Sequence, residues 1–394
     1  MNTTFIVARK EILDNSRDRR TLFSTLVFGP LFAPALFAVI INIAISRNIA
    51  SVEEQLSIPI IGIEQAQNLA AFLAARGVDA DENHTLTNID DAATAVRTGR
   101  QDLVIVIDED FAAEFSTEVG ARVTLIFDQS NARAGSRVQR ARRAVGAYSE
   151  QLGALRLLAR GVNPSLLRPI TIDEYDVSTP AGRSALILGM LTYFLLLSTL
   201  MGGLYLAIDT TAGERERKSL EPLLATPVPR ANLLLGKMTA TIFYMLISLA
   251  LTLTGFTISL HYLPLEQLGM SSSFDTITAL RAFAVIAPFA PLGAALMTLV
   301  ASFTKSYKEA QTYLTFVLLI PTLPLVFAGL LNVRASLNLM WIPSLSQHLL
   351  VTNLIRDEPV GTAMFALSAL SALAVAILLA LAAIKLYKRE ALLG

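Results

Sequence analysis

Little in this chain could do covalent chemistry. It contains no cysteine, which removes thiolate catalysis, disulfides and cysteine-based metal sites. His84, His261 and His348 are scattered without partners at metal-ligand spacing and read as ordinary surface or loop histidines, so no metal site is expected. No local pattern suggests Ser/His/Asp catalysis. Glu53-Glu54 is followed by Gln-Leu-Ser-Ile, with no basic residue at the short spacing a membrane-protease motif would want. A phosphate-binding loop requires G-x-x-x-x-G-K-[ST]. Gly236-Lys237 is followed by Met238, and Ala231 occupies the first glycine's place. No catalytic residue and no cofactor are expected in this chain, and any ATP must be held by another polypeptide.

The charged side chains concentrate instead in Glu214-Arg-Glu-Arg-Lys-Ser-Leu-Glu-Pro-Leu-Leu-Ala-Thr-Pro-Val-Pro-Arg230. Such a run cannot lie in lipid, where each charge at the bilayer centre costs several kcal/mol. Glu214, Glu216 and Glu221 alternate with Arg215, Arg217 and Lys218. Ser219 can cap a short helix whose first turn tolerates Pro222. Leu220, Leu223 and Leu224 form its apolar face, and Thr226-Pro227 followed by Pro229 ends it. A solvated loop whose charges merely set orientation needs neither the leucine triplet nor the proline stops. A short helix that pushes Leu223 and Leu224 into another protein's cleft accounts for both.

The elements that must hold this segment are membrane helices. The chain is 53% hydrophobic and 16% charged, against about 25% charged in soluble domains, with a mean hydropathy of +0.54. Its formal net charge is zero, so nothing points to nucleic acid. Charge-free intervals run Thr21–Ser46, Ser184–Ile208, Met238–Leu265 (His261 aside), Ala282–Thr304, Ala310–Val333 and Pro359–Ile384. Each exceeds the ~20 helical residues that cross a bilayer, so six spans are expected. Pro288, Pro291, Pro321 and Pro324 predict kinks in the fourth and fifth. Lys10, Lys218, Lys237, Lys305, Lys308, Lys385 and Lys388 fall on one side if the spans alternate, which puts both termini in the cytoplasm of a multi-pass inner (plasma) membrane protein. A cleaved signal peptide is disfavoured, because its apolar core runs only ~7–15 residues.

Residues 1–20 pattern as an amphipathic interfacial helix. Phe5, Ile6, Ala8, Ile12 and Leu13 share one arc, and Lys10, Glu11, Asp14, Arg17 and Asp18 lie opposite. Arg9, Lys10, Glu11, Asp14, Arg17, Arg19 and Arg20 would meet lipid headgroups or a docked protein. Residues 47–183 form an insertion between spans one and two, on the external side, with 14 arginines, no lysine and 19 acidic residues. Strands are expected at Ile58–Ile63, Leu103–Ile107 and Val123–Phe127. Helices are expected at Gln65–Arg76, Asn88-capped Ile89–Thr98, Asp110–Glu118 and Asn131–Arg160, the last with a seam through Val138, Val145 and Leu152 and with Ala141, Tyr148 and Leu155 beside it. Gly77, Gly99 and Gly161 stand as stops. The alternation predicts a small α/β domain. After the cytoplasmic loop 209–237, residues 238–394 carry spans three to six, with an apolar external segment at 334–358 that reads as re-entrant or interfacial, Trp341 at headgroup level. In span three, Thr241, Tyr244, Ser248, Thr252, Gly255 and Ser259 share one face. They would line a transport path, or pack helices and hydrogen-bond across a helix interface or dimer seam.

The run at 214–230 resembles the cytoplasmic motif of exporter-type (type 2) ABC transporter permeases, whose common form is ERE-x-G-T-L-E-x-L-L-x-T-P-x-x-R. The chain departs at Lys218-Ser219, where Gly-Thr is frequent. Ala8-Arg-Lys-Glu-Ile-Leu-Asp and Arg17-Asp-Arg-Arg-Thr-Leu resemble the interfacial helix of the same family, and the outer domain resembles that of its sodium-efflux (NatB-like) branch. The resemblance implies a membrane all-α bundle of six transmembrane helices with an α/β extracytoplasmic domain between spans 1 and 2. It further implies a permease that pairs with a second permease, as homodimer or heterodimer, each with a cytosolic ATPase subunit that binds ATP and Mg. Residues 219–227 would be the coupling helix. Glu214, Arg215, Glu216, Ser219, Leu220, Glu221, Leu223, Leu224, Thr226, Pro227 and Arg230 would dock the ATPase. Sodium is the cargo that branch implies. No Asp or Glu lies within any expected span, where a cation path would want them, which leaves drugs, peptides and lipids open. A membrane-anchored sensor or assembly protein, whose outer domain binds a ligand or partner without transport, is the alternative. A polytopic enzyme comes last.

Overall fold

The structure, a computed structural model, describes residues 3–53, 56–81, 84–116, 120–131, 134–167, 180–268, 274–331 and 333–387. Two compact units divide the chain, one of Met1–Arg47 with Val177–Gly394 and one of Asn48–Asp176. The chain begins with α1 (Thr3–Arg17), a short turn at Arg19–Leu22, a π-helical stretch at Phe23–Phe28, and α2 (Gly29–Glu53). Phe5, Ile6 and Leu13 are exposed on α1 as a lipid-facing arc would be, but Glu11, expected among the polar residues opposite, is only 5% exposed.

The Asn48–Asp176 unit is α/β. Its elements are β1 (Leu56–Ile58), β2 (Ile60–Ile61), α3 (Gln67–Ala74), β3 (Val78–Ala80), α4 (Ile89–Arg97), β4 (Leu103–Ile107), α5 (Phe111–Ser116), β5 (Val123–Phe127) and α6 (Ala134–Ala159). The run expected as one strand at 58–63 is split at Pro59, which has no N–H to give a ladder. β1 pairs with β3 in parallel, whereas β2 joins β4 in parallel and β4 pairs with β5 antiparallel. β3 was not expected, being too short to carry a period. Asn88 caps α4 by accepting from the Asp91 N–H at 2.8 Å. Gly77, Gly99 and Gly161 take positive φ at the helix ends. α6 buries Val138 and Ala141 against the sheet, but Leu155, expected beside that seam, is exposed.

The remaining helices belong to the apolar unit. They are α7 (Pro180–Ile208), α8 (Leu220–Leu224), α9 (Arg230–Tyr262), α10 (Thr276–Ile286), α11 (Phe289–Phe303), α12 (Tyr307–Val317), α13 (Leu323–Leu331), α14 (Leu345–Ile355) and α15 (Thr362–Tyr387). Among the described residues, four helices are long and apolar enough to cross a membrane, within Gly29–Ser46, Leu188–Glu216, Arg230–Tyr262 and Thr362–Tyr387. α10 and α11 make a fifth if counted as one span bent by 43°. The bend falls at Pro288. The remaining expected span, 310–333, fifth in chain order, is not one helix. α12 stops at Val317 and α13 starts at Leu323, with Pro321 in the turn between. Pro321 has no N–H for an i→i−4 bond, and its ring disfavours helical geometry at Ile320. Two of the loop boundaries also move. α7 continues past Ile208 to Glu216 through a π-helical turn at Asp209–Gly213, and α9 begins at Arg230, well before Met238.

α7 and α9 pack closely because α7 has Gly202-Gly203 at the crossing. A Cβ on Gly202 would stand 2.4 Å from the Ser248 Cβ, and one on Gly203 would stand 2.6 Å from the Met245 Cγ. In the 334–358 segment, α14 packs into the bundle against α7, α10 and α15. Its Gln347 donates to Ser368 at 3.0 Å, and Ser368 donates to Ser346 at 2.9 Å. Trp341, just before it, is exposed.

Gly202→Val should lower thermal stability in detergent by about 1–3 kcal/mol or more through overpacking. Gly189→Ala on the same helix, where a Cβ meets nothing within 4 Å, should leave it unchanged or raise it.

Candidate functional site

The Glu214–Arg230 run is built on the end of α7. The helical turn Glu214–Glu216 closes with two backbone bonds, Lys218 N to Arg215 O at 3.0 Å and Ser219 N to Glu214 O at 3.0 Å. Together with the left-handed φ of 56° at Lys218, this is a Schellman stop, which ordinarily places glycine at that position. The frequent Gly of the type 2 permease motif therefore coincides with a backbone demand, which Lys218 meets at a steric cost. Ser219 starts α8, but its hydroxyl does not cap it. It donates back to the Glu214 carbonyl at 3.2 Å.

The three side chains of the Glu-Arg-Glu triplet reach three different elements. Glu214 is 8% exposed and paired with the Lys237 ammonium, which is itself 1% exposed inside α9. Lys237 also donates to the Thr210 carbonyl at 2.6 Å. Arg215 donates to the Thr304 carbonyl at 2.7 Å and to the Ser302 carbonyl at 3.1 Å, at the end of α11. Glu216 accepts from the Tyr307 N–H at 2.6 Å, at the start of α12. Helix ends leave carbonyls and N–H groups without helical partners, with partial negative and positive charge respectively. The guanidinium and the carboxylate meet those needs in that order. Next in the chain, Arg217 pairs with Asp209 at 2.8 Å, and this contact holds the guanidinium above its ordinary pKa.

Leu220, expected on the docking face, turns inward instead. It is 4% exposed and packs with Leu234, Met238, Ala295, Ala383 and Tyr387. It fastens α8 to the bundle. What faces outward is Glu221, Pro222, Thr226 and Pro227, with Leu223 and Arg230 half-buried. Thr226 donates to the Leu223 carbonyl at 2.7 Å and rounds off the turn before Pro227. The side chains of Leu224 and Arg20 lie outside the described residues.

α1 lies along the first turns of α9, where Gly236 lets Val7 approach to 2.6 Å of a notional Cβ. Asn232 donates to the Thr3 hydroxyl at 2.7 Å. Lys10 bonds Glu11 at 3.1 Å and Asp14 at 3.6 Å. Burial would lower the Lys10 pKa, but Glu11, with Glu214 and Asp14, outweighs it and holds the ammonium above its ordinary value. Arg9, Arg17 and Arg19 are exposed.

The polar stripe of α9 is taken up inside the chain. Ser198 of α7 lies 2.6 Å from the Thr252 hydroxyl and 3.2 Å from that of Ser248, and Ser248 donates to the Ser198 carbonyl at 2.8 Å. Tyr244 donates to the Ile12 carbonyl at 3.1 Å, Thr241 is buried beside Gly203, and Ser259 is half-buried. Thr241, Tyr244, Ser248 and Thr252 are thus buried in helix packing within one chain. The signal that sequence reasoning missed is Lys237. It sits one residue outside a charge-free interval and looked like a loop cation. Among the described residues, no group of three His, Asp or Glu side chains could hold a metal.

Lys237→Met strands the buried Glu214 carboxylate and should destabilise the protein by about 3–5 kcal/mol. Lys237→Met with Glu214→Leu should recover most of that loss in the same detergent melt. Lys218→Gly should raise stability by up to about 1 kcal/mol by relieving the left-handed residue.

A family model described as ABC-2 family transporter protein matches residues 19–385. The chain is 25% identical over 359 residues to the ABC transporter permease protein NatB of Bacillus subtilis, covering 89% of each chain. No solved structure matches it. A motif-bearing turn at the base of a helical bundle and a family match over nearly the whole length agree: the chain belongs to the ABC-2 family and is a membrane subunit of an ABC transporter.

Proposed function

We propose that this chain is the permease of an ABC exporter, driven by a separate cytosolic ATPase that docks on residues 219–227 and moving its cargo outward. The observation that carries the reading is the outward face of α8, which is closed off on its inner side by Leu220 and stopped by Pro227. In this reading α12 and α13 together make the fifth crossing, broken at Pro321, and α15 the sixth. Both termini and the Glu214–Arg230 run are cytoplasmic, and the Asn48–Asp176 unit is external. Two such chains, alike or different, pair in the inner membrane. Nucleotide binding shifts the permease only through contacts that differ between the two ATPase states, and the exposed face of α8 is where such contacts would form.

Sodium is the first cargo to test. Reconstitution of the chain with its ATPase in liposomes should give ATP-dependent flux. A second reading, ligand binding by the outer unit without transport, is favoured by one observation. A cleft of about 1010 Å³ opens at the carboxyl ends of β2, β3 and β4, bordered by Glu64, Asp81, His84, Asp108 and Glu109, where open α/β sheets commonly take ligands. Absence of flux from a complex that retains its ATPase would favour that reading.

Leu223→Asp with Leu224→Asp should abolish co-purification with the ATPase and end transport-linked hydrolysis. An intact complex formed by that double variant would sink the docking role.

A further inference from the structure

We infer that Glu214, Arg215 and Glu216 are positioning residues that carry the displacement of α8 into the bundle, and do not themselves contact the ATPase. This rests on the reading that α8 meets an ATPase. Glu214 binds Lys237 of α9, Arg215 binds the carbonyls that end α11, and Glu216 binds the N–H that opens α12. The α11–α12 connection is thereby gripped on both sides, its carbonyl end by a cation and its amide end by an anion. The order of charge in the triplet is the order those helix ends require. A docking surface would not need it, and Glu214 is too deeply buried for any docked protein to touch. Leu220, packed on Leu234 and Ala295, adds an apolar contact from α8 itself to the same two helices, α9 and α11. A push on α8 thus has short, directional bonds leading to three helices, and the shared joint makes α8 and the start of α12 one mechanical body.

The test exploits the absence of native cysteine. Spin labels at Lys218, just before α8 and outside the docking stretch, and at Thr312, both exposed, report the distance from the foot of α8 to α12 by pulsed electron paramagnetic resonance. In the otherwise native complex the distribution should be narrow and the same with and without ATP. Arg215→Ala with Glu216→Ala should broaden it or make it respond to nucleotide. The ATPase should stay bound and hydrolyse ATP, while the ratio of flux to hydrolysis falls about tenfold. Glu216→Gln keeps an acceptor for the Tyr307 N–H and should behave as the native residue. Should the double variant not assemble, Glu216→Ala alone, an exposed side chain, carries the test. A native-like distribution and flux ratio in these variants overturn the inference. So does loss of the ATPase from a variant that melts like the native chain, because the triplet would then be docking. A native chain that never retains the ATPase sinks the docking reading instead, and the label distance in that chain still reports whether the joint is rigid.

Discussion

A carboxylate and an ammonium share one dry site at the base of the bundle, and the surroundings are arranged so that neither is left alone. Glu214 arrives from the end of α7 and Lys237 from the second turn of α9. For the pair to meet, α7 must stay helical beyond its apolar stretch, which it does through the π-helical turn at 209–213. α9 must begin early enough to bring Lys237 inward, and the Thr210 carbonyl must remain free to take a second ammonium proton. A buried pair is poor evidence of net stability, since desolvation offsets much of its attraction. Its value here is geometric: it sets the register between two long helices at the point where the chain leaves them.

The apolar helices were legible because lipid tolerates so few charges. Four of the expected spans have long continuous counterparts, and the bend between α10 and α11 falls at a proline that the sequence displays. The fifth, 310–333, is broken into two helices, because a charge-free interval reports composition while Pro321 decides continuity. In the Asn48–Asp176 unit, Gly77, Asn88, Gly99 and Gly161 marked helix ends through local backbone needs. Pro59 carried the information that the first strand divides between two sheets, but only pairing reveals which partner each half takes.

At the candidate site, residue types were readable and directions were not. The leucines at 220 and 223 share a nominal face, yet one is buried in the bundle and the other half-exposed. Nothing local to either residue distinguishes them, since the difference comes from Leu234, Ala295 and Ala383, which pack on the first. Glu11 is misread by helical periodicity for the same reason: Lys10 and Asp14 beside it are exposed, but Glu11 itself is buried where α1 lies along the bundle. The triplet's bonds span large separations along the chain, from Lys237 to Tyr307, and end on backbone atoms in two cases. No side-chain pattern can advertise a bond to a carbonyl or an N–H.

The buried pair also limits how this sequence can drift. A lineage that changes Glu214 or Lys237 first must pass through a chain carrying one uncompensated charge in its interior, a step that removes a large share of ordinary folding stability. Exchange at these two positions is therefore confined to near-simultaneous replacement or to a background already stabilised elsewhere. Glu221 and Thr226, which touch little, carry no such restriction from the fold. Variation at the exposed turn can proceed one residue at a time, while the base beneath it is held in place.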